Sequence, residues 1–171
     1  MRTALVERID GLGRAVTPAV LVLLSLMLTT APLRVPSVVA VTPLLPAIAI
    51  YHFSLYEPQR LPGWMVLLLG LFMDLLTGGP LGIWAAVFVS MRYLVDNNSR
   101  YLVGHGFVIG WLGFLLTCAL ALAAAWLLMS VLVLQSIDPR PAMLQLVVTA
   151  ALYPPFGWLL GKLSFWRGAA N

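Results

Sequence analysis

Charge is scarce in this sequence. Asp, Glu, Lys and Arg make up 9% of its 171 residues, against 61% hydrophobic residues. An average soluble domain carries roughly 25% charged residues, so no water-facing surface can be covered here and the chain must use lipid as its solvent. The ten Lys and Arg are spread too thinly to form a nucleic-acid patch. Cysteine is almost absent too: Cys118 is alone, which excludes a disulfide within the chain and any cysteine-based metal spacing. The two histidines, His52 and His105, stand far apart without companion ligands and read as packed or interfacial residues. GxSxG, HExxH and paired-aspartate motifs are missing, so neither a nucleophile with its base nor a paired metal site is encoded. The segment Gly78-Gly79-Pro80-Leu81-Gly82 lacks the lysine and Ser/Thr of a phosphate-cradling loop. Composition thus points to a non-enzymatic membrane protein with no cofactor and no metal.

What is present is long apolar sequence. A span needs about 20 apolar residues to cross roughly 30 Å of hydrocarbon. Residues 15–33, 36–56, 107–134 and 141–161 meet that length. The middle is interrupted: residues 63–77 and 80–95 flank Gly78-Gly79-Pro80, which should break a helix. The expected fold is an all-α integral membrane protein of six transmembrane helices, with a short broken hairpin at the third and fourth spans. The whole chain forms one multi-pass domain. With both termini cytoplasmic, Arg2, Arg8, Arg14, Arg60, Arg92, Arg100, Lys162 and Arg167 face the cytoplasm, and Arg34 and Arg140 face out. That asymmetry follows the positive-inside rule. A cleaved signal peptide is the competing reading of the N-terminus. The first apolar stretch exceeds the usual length of about 7–15 residues, and Glu7 and Asp10 dilute its basic flank.

Small residues and prolines set the expected packing. Gly113, Thr117, Ala121 and Ala125 form a stripe in the fifth span, and Gly157 and Gly161 a pair in the sixth. Pro36, Pro43 and Pro46 should bend the second span, and Pro154-Pro155 the sixth.

The most informative residue is Asp74, a lone carboxylate in apolar sequence just before the glycine-proline break. An ionisable group inside a membrane is expensive and marks function or structure. Gly70, Asp74 and Gly78 share one helical face, and Gly82, Ala86 and Ser90 another. Folding back at Gly79-Pro80 would set Asp74 opposite Ala86. Its partners would come from Ser90, Thr77 or the free amides opening the fourth helix. Gly70→Leu or Ala86→Leu should then cost assembly or stability. Three roles remain open for Asp74: capping the hairpin, carrying protons or cations, or anchoring a partner helix. Arg92, at the cytoplasmic end of the fourth span, marks the membrane boundary or contacts anionic lipid headgroups.

The run from Trp64 to Gly82, with Gly70-Leu71, Asp74-Leu75, Gly78 and Pro80-Leu81-Gly82, resembles the signature of the MreD family of rod shape-determining membrane proteins. Pro62 before it, and Ala85 to Val95 with Arg92-Tyr93 after it, are similar to that family as well. The resemblance implies a non-enzymatic component of the bacterial cell-elongation machinery in the inner membrane. Its partners would be an MreC-like protein, the peptidoglycan synthase RodA with its class B penicillin-binding protein and, indirectly, the MreB cytoskeleton. It also implies a six-span fold like that of the substrate-binding subunits of energy-coupling-factor transporters, which keeps small-molecule capture as an alternative. On this reading Gly70, Gly78 and Gly82 serve close packing, Pro80 forms the turn, Asp74 is a polar anchor and Arg92 holds the boundary. A scaffold would show an uncharged lateral groove lined by small residues. A transporter subunit would show an outward cavity with polar groups from several helices.

Overall fold

Residues 18–29, 42–102, 106–134 and 138–168 are described in a computed structural model of the chain, with backbone alone at 161 and 163–168. They form six helices and no strand: α1 (Pro18–Thr29), α2 (Leu45–Tyr56), α3 (Gly63–Thr77), α4 (Ile83–Leu102), α5 (Phe107–Val133) and α6 (Arg140–Gly168). By length and composition, two segments are long and apolar enough to cross a membrane, Phe107–Val133 and Arg140–Leu160. α3, at 15 residues, rises only about 22 Å. Residues 1–17 and the 30–41 stretch, with Arg34 and Pro36, lie outside the described residues, as does His105.

Helix α2 is the central element, buried at every position from Leu45 to Leu55, and it packs on α4, α5 and α6. Val22 and Leu26 of α1 belong to the same core. α3 makes its main contacts with α4 alone, which places the α3–α4 hairpin at one side of the bundle. The outer surface is apolar: Leu112, Leu116, Leu120, Leu127 and Val131 are exposed along α5, while Thr117, Cys118, Ala121 and Ala125 are buried. That inversion, small and polar inside with leucine outside, is what a hydrocarbon solvent selects.

The prolines act differently from the sequence expectation at one place. Pro43 precedes α2, and Pro46 sits in its first turn. There its missing amide would have had no partner anyway, so these two prolines start the helix rather than bend it. In α6 the helix runs on through Pro154 and Pro155. Pro154 has no N–H to give the carbonyl four residues back, that of Ala150. The Trp111 indole of α5 donates to that oxygen instead, at 3.0 Å. A local defect in one helix thereby becomes a tie between two.

Further polar ties fix α2. The Leu44 amide donates to Thr149 Oγ1 at 3.0 Å, and Gln145 Nε2 to the Thr42 carbonyl at 3.0 Å. The Tyr51 hydroxyl donates to the Gly110 carbonyl at 2.8 Å. Its ring meets Phe114 and Tyr153 edge-on, and those two rings stack at 4.5 Å. Gly113 makes room for this junction, because a Cβ there would run into Leu102 Cδ2 and sit 2.7 Å from the Tyr51 oxygen.

Two helices outrun the apolar segments that suggested them. α4 continues past Val95 through Asp96, Asn97, Asn98 and Ser99 to Leu102, and α6 continues past 161 to Gly168. Hydropathy marks where lipid ends, and a helix can continue beyond that point.

Replacing Trp111 by Phe keeps the ring and removes the donor, which leaves the Ala150 carbonyl unpaired in an apolar setting. The expected loss is about 1–3 kcal/mol, read as a lower thermal midpoint of the purified protein in detergent. Trp64→Phe, on the exposed side of α3, is the matched control and should leave the midpoint unchanged.

Candidate functional site

Asp74 lies in the last turn of α3 and is buried, at 1% exposure. α3 stops at Gly78, whose φ of 67° is the left-handed conformation that closes helices. Its amide returns to the Asp74 carbonyl at 3.1 Å. After Gly79 and the exposed Pro80, Gly82 adopts φ 102° and α4 begins at Ile83. The first amides of any helix lack partners within it. Asp74 supplies them: Oδ2 accepts from Gly82 N at 2.8 Å and Ala85 N at 3.4 Å, and Oδ1 from Trp84 N at 2.9 Å. The carboxylate of one helix therefore caps the next, at the end where the peptide dipoles favour negative charge. Of the partners considered from sequence, the amides alone are used. The Thr77 hydroxyl bonds the Met73 and Asp74 carbonyls, and Ser90 bonds the Val87 carbonyl.

The helix faces meet in a different rotation from the one expected. Gly70 lies against Ala85 and Trp84: a Cβ there would overlap Ala85 Cα, sit 2.7 Å from Ala85 N and 2.9 Å from the Trp84 carbonyl. Ala86 and Ser90 are exposed, so Ala86 is not opposite Asp74. The face α4 buries is set by its larger apolar side chains, Phe88, Met91 and Val95 with Ala85, and the stripe of small residues counted from Gly82 lies outside it. Gly78 and Gly82 have nothing within 4 Å of an added Cβ. Both serve backbone conformation, where close packing had been expected.

Arg92 sits at the far end of the hairpin from Asp74. It reaches inward rather than outward, with its side chain 12% exposed. Nε pairs with Asp96 Oδ2 at 3.3 Å, and Nη2 donates to the Pro58 carbonyl at 3.1 Å. Nη1 is buried without a hydrogen-bond partner. This residue thus pins the α2–α3 connection to α4. His52 is buried among aromatic rings, 4.8 Å from Tyr56 and 5.7 Å from Phe53. Among the described residues no group of three His, Cys, Asp or Glu could hold a metal.

A lateral groove was expected of a scaffold, but its place was not legible from sequence. Between α5 and α6 lie two adjoining hollows that share Leu122, Trp126 and Ala142. One, of about 350 Å³, is lined by Ala119, Ala123, Met143 and Leu146 and opens outward past the exposed Ala123 and Met143. The other, of about 360 Å³, reaches Trp84 of α4 and carries Thr42, Asp138 and Gln145 at its edge. The groove needs three helices in register, and the alanines that floor it look in sequence like any small-residue stripe.

Removing the cap and crowding the contact should both unfasten the hairpin. Asp74→Ala leaves three amides unpaired, at about 1–3 kcal/mol for each buried one. Gly70→Leu should be as damaging, while Ala86→Leu should be tolerated. Thermal midpoints and yields of monodisperse protein check this, and a reversed order for Gly70 and Ala86 would refute the contact described.

One family profile, that of rod shape-determining protein MreD, matches residues 10–163. No curated protein and no solved structure matches the chain. The matched stretch takes in the capped hairpin, Arg92 and both walls of the α5–α6 groove, and it leaves out only the two ends of the 171 residues. Asp74 and the glycines around it thus lie within the matched region, and the chain belongs to the MreD family of rod shape-determining membrane proteins.

Proposed function

We propose that this chain is a non-enzymatic, six-span scaffold of the bacterial inner membrane, with both termini cytoplasmic. On this reading it maintains rod shape by holding partner helices of the elongation machinery: an MreC-like protein, and RodA with its class B penicillin-binding protein. The MreB cytoskeleton is reached indirectly. The observation that carries the reading is the groove between α5 and α6. Its alanines allow a foreign backbone close approach, which is what drives helix association where lipid removes the hydrophobic incentive. The capped hairpin supports it from the other side. Both Asp74 oxygens are already engaged by backbone amides, which suits a fixed fastening better than a proton or cation carrier.

Small-molecule capture by a transporter subunit is the alternative. The hollow at Trp84 has polar groups from more than one element in Thr42, Asp138 and Gln145, but the Gln145 amide is already bonded to the Thr42 carbonyl and the rest of the lining is largely apolar. Orienting a polar substrate takes several convergent groups inside the cavity.

The test is affinity purification of the tagged protein from native membranes, comparing wild type with Ala123→Phe, which fills the groove from an exposed position. Wild type is expected to bring down an MreC-like protein with wall synthases, and Ala123→Phe to lose them while remaining folded. Recovery of an ATP-driven transport module from wild type would instead establish the alternative.

A further inference from the structure

The groove has a charge at one end. Asp138 lies at its edge, in the connection between α5 and α6, and is exposed. One of its oxygens accepts the Arg140 backbone amide at 3.0 Å, a local turn contact, and the exposed Arg140 side chain makes no ion pair with it. The ion pairs among the described residues are Arg60 with Glu57 and Arg92 with Asp96. Asp138 is in neither. Asp138 lines the hollow that reaches Trp84, together with Thr42 and Gln145; in the adjoining hollow, which begins at the next residue, the walls are apolar for about two turns of α6, from Pro139 through Ala142 and Met143 to Leu146. Across them, Ala119 and Ala123 of α5 stand one turn apart. In the proposed six-span topology this connection lies on the outer side of the membrane.

From this arrangement we infer that the groove takes a transmembrane helix of another protein whose outer end carries a Lys or Arg, and that Asp138 is the residue that reads it. The inference rests on the scaffold reading and adds the chemistry of the partner. The alanines fix how near the helix comes, and the carboxylate fixes its height and direction. A helix entering the other way up would bring its basic end to the inner leaflet, far from Asp138. A neutral helix of the same shape would slide along the groove without a stop. Positive charge is uncommon at the outer ends of bacterial spans, so one acidic residue there discriminates strongly. The indole of Trp126, midway along the groove, adds a flat wall against which an aliphatic stem can lie.

The experiment places a photo-crosslinking amino acid at Met143, in the full-length protein in its native membranes. The control position is Leu67, on the exposed face of α3. The expected result is a protein adduct at Met143 whose captured peptide is a transmembrane helix with Lys or Arg in its outermost turn. Asp138→Lys should lower its yield by roughly tenfold or more, since like charges brought together at an interface weaken binding by at least that factor. Changing the partner's basic residue to Asp in the Asp138→Lys background should restore it. An adduct that survives Asp138→Lys undiminished overturns the inference and leaves the groove as the helix site. Lipid adducts alone at Met143, or adducts with a second copy of this chain, overturn it as well. A partner adduct at Leu67 and none at Met143 moves the interface to α3 and removes the groove from the scaffold reading altogether.

Discussion

A buried carboxylate bonded to the opening amides of a neighbouring helix is the constraint on which this structure turns. In hydrocarbon, a bare carboxylate and a set of bare amides are each costly. Placed together they satisfy one another, and the geometry that achieves this leaves little freedom. Asp74 must be at the end of α3, α4 must begin within hydrogen-bond reach, and the intervening turn must be tight. Gly78 and Gly82 supply the two positive-φ residues of that turn. Gly70, one turn before Asp74, lets the two backbones touch. A helix of 15 residues such as α3 gains from such a device because it has little surface with which to hold a neighbour.

The rest of the bundle follows a related pattern. Polar groups are few, and most that are buried bridge elements or close a local turn. Thr149 takes the amide that starts α2, Tyr51 reaches the backbone of α5, and Trp111 takes the carbonyl that Pro154 frees. Arg92 does the same at the other end of the hairpin, holding the α2–α3 connection. With the interior fixed in this way, the α5–α6 side can remain open. If the groove receives a partner helix as proposed, it has to keep its shape while empty, and ties on the far side of each wall provide that.

Much of this was legible in the sequence, and the limits have physical causes. The lone acid before Gly78-Gly79-Pro80 marks the hairpin, and the amides opening α4 were one of three partners the sequence left open for it, with Thr77 and Ser90. The rotation of α4 was read from its small residues, whereas the helix buries the face that carries Ala85, Phe88, Met91 and Val95. The pairing of Trp111 with Ala150 spans 39 residues and depends on a proline four positions further on. Each residue alone is ordinary. The reach of Arg92 toward Pro58 is hidden for a similar reason: an arginine at a span's end already has an explanation in the charge rule. Helix ends were the least legible, because polar residues such as Asn97 and Asn98 end the lipid-facing stretch without ending the helix.

The capped hairpin also bears on how the protein is made. The amides that satisfy Asp74 lie 8, 10 and 11 residues after it in the chain. While α3 leaves the ribosome, its carboxylate has no partner, and an isolated α3 would carry an unpaired acid into the bilayer. If α3 spans the bilayer as proposed, its lateral release is favoured only once the first turn of α4 has followed it. On that reading α3 and the start of α4 make one insertion unit, and the order of synthesis, acid first and amides after, sets a waiting step into biogenesis.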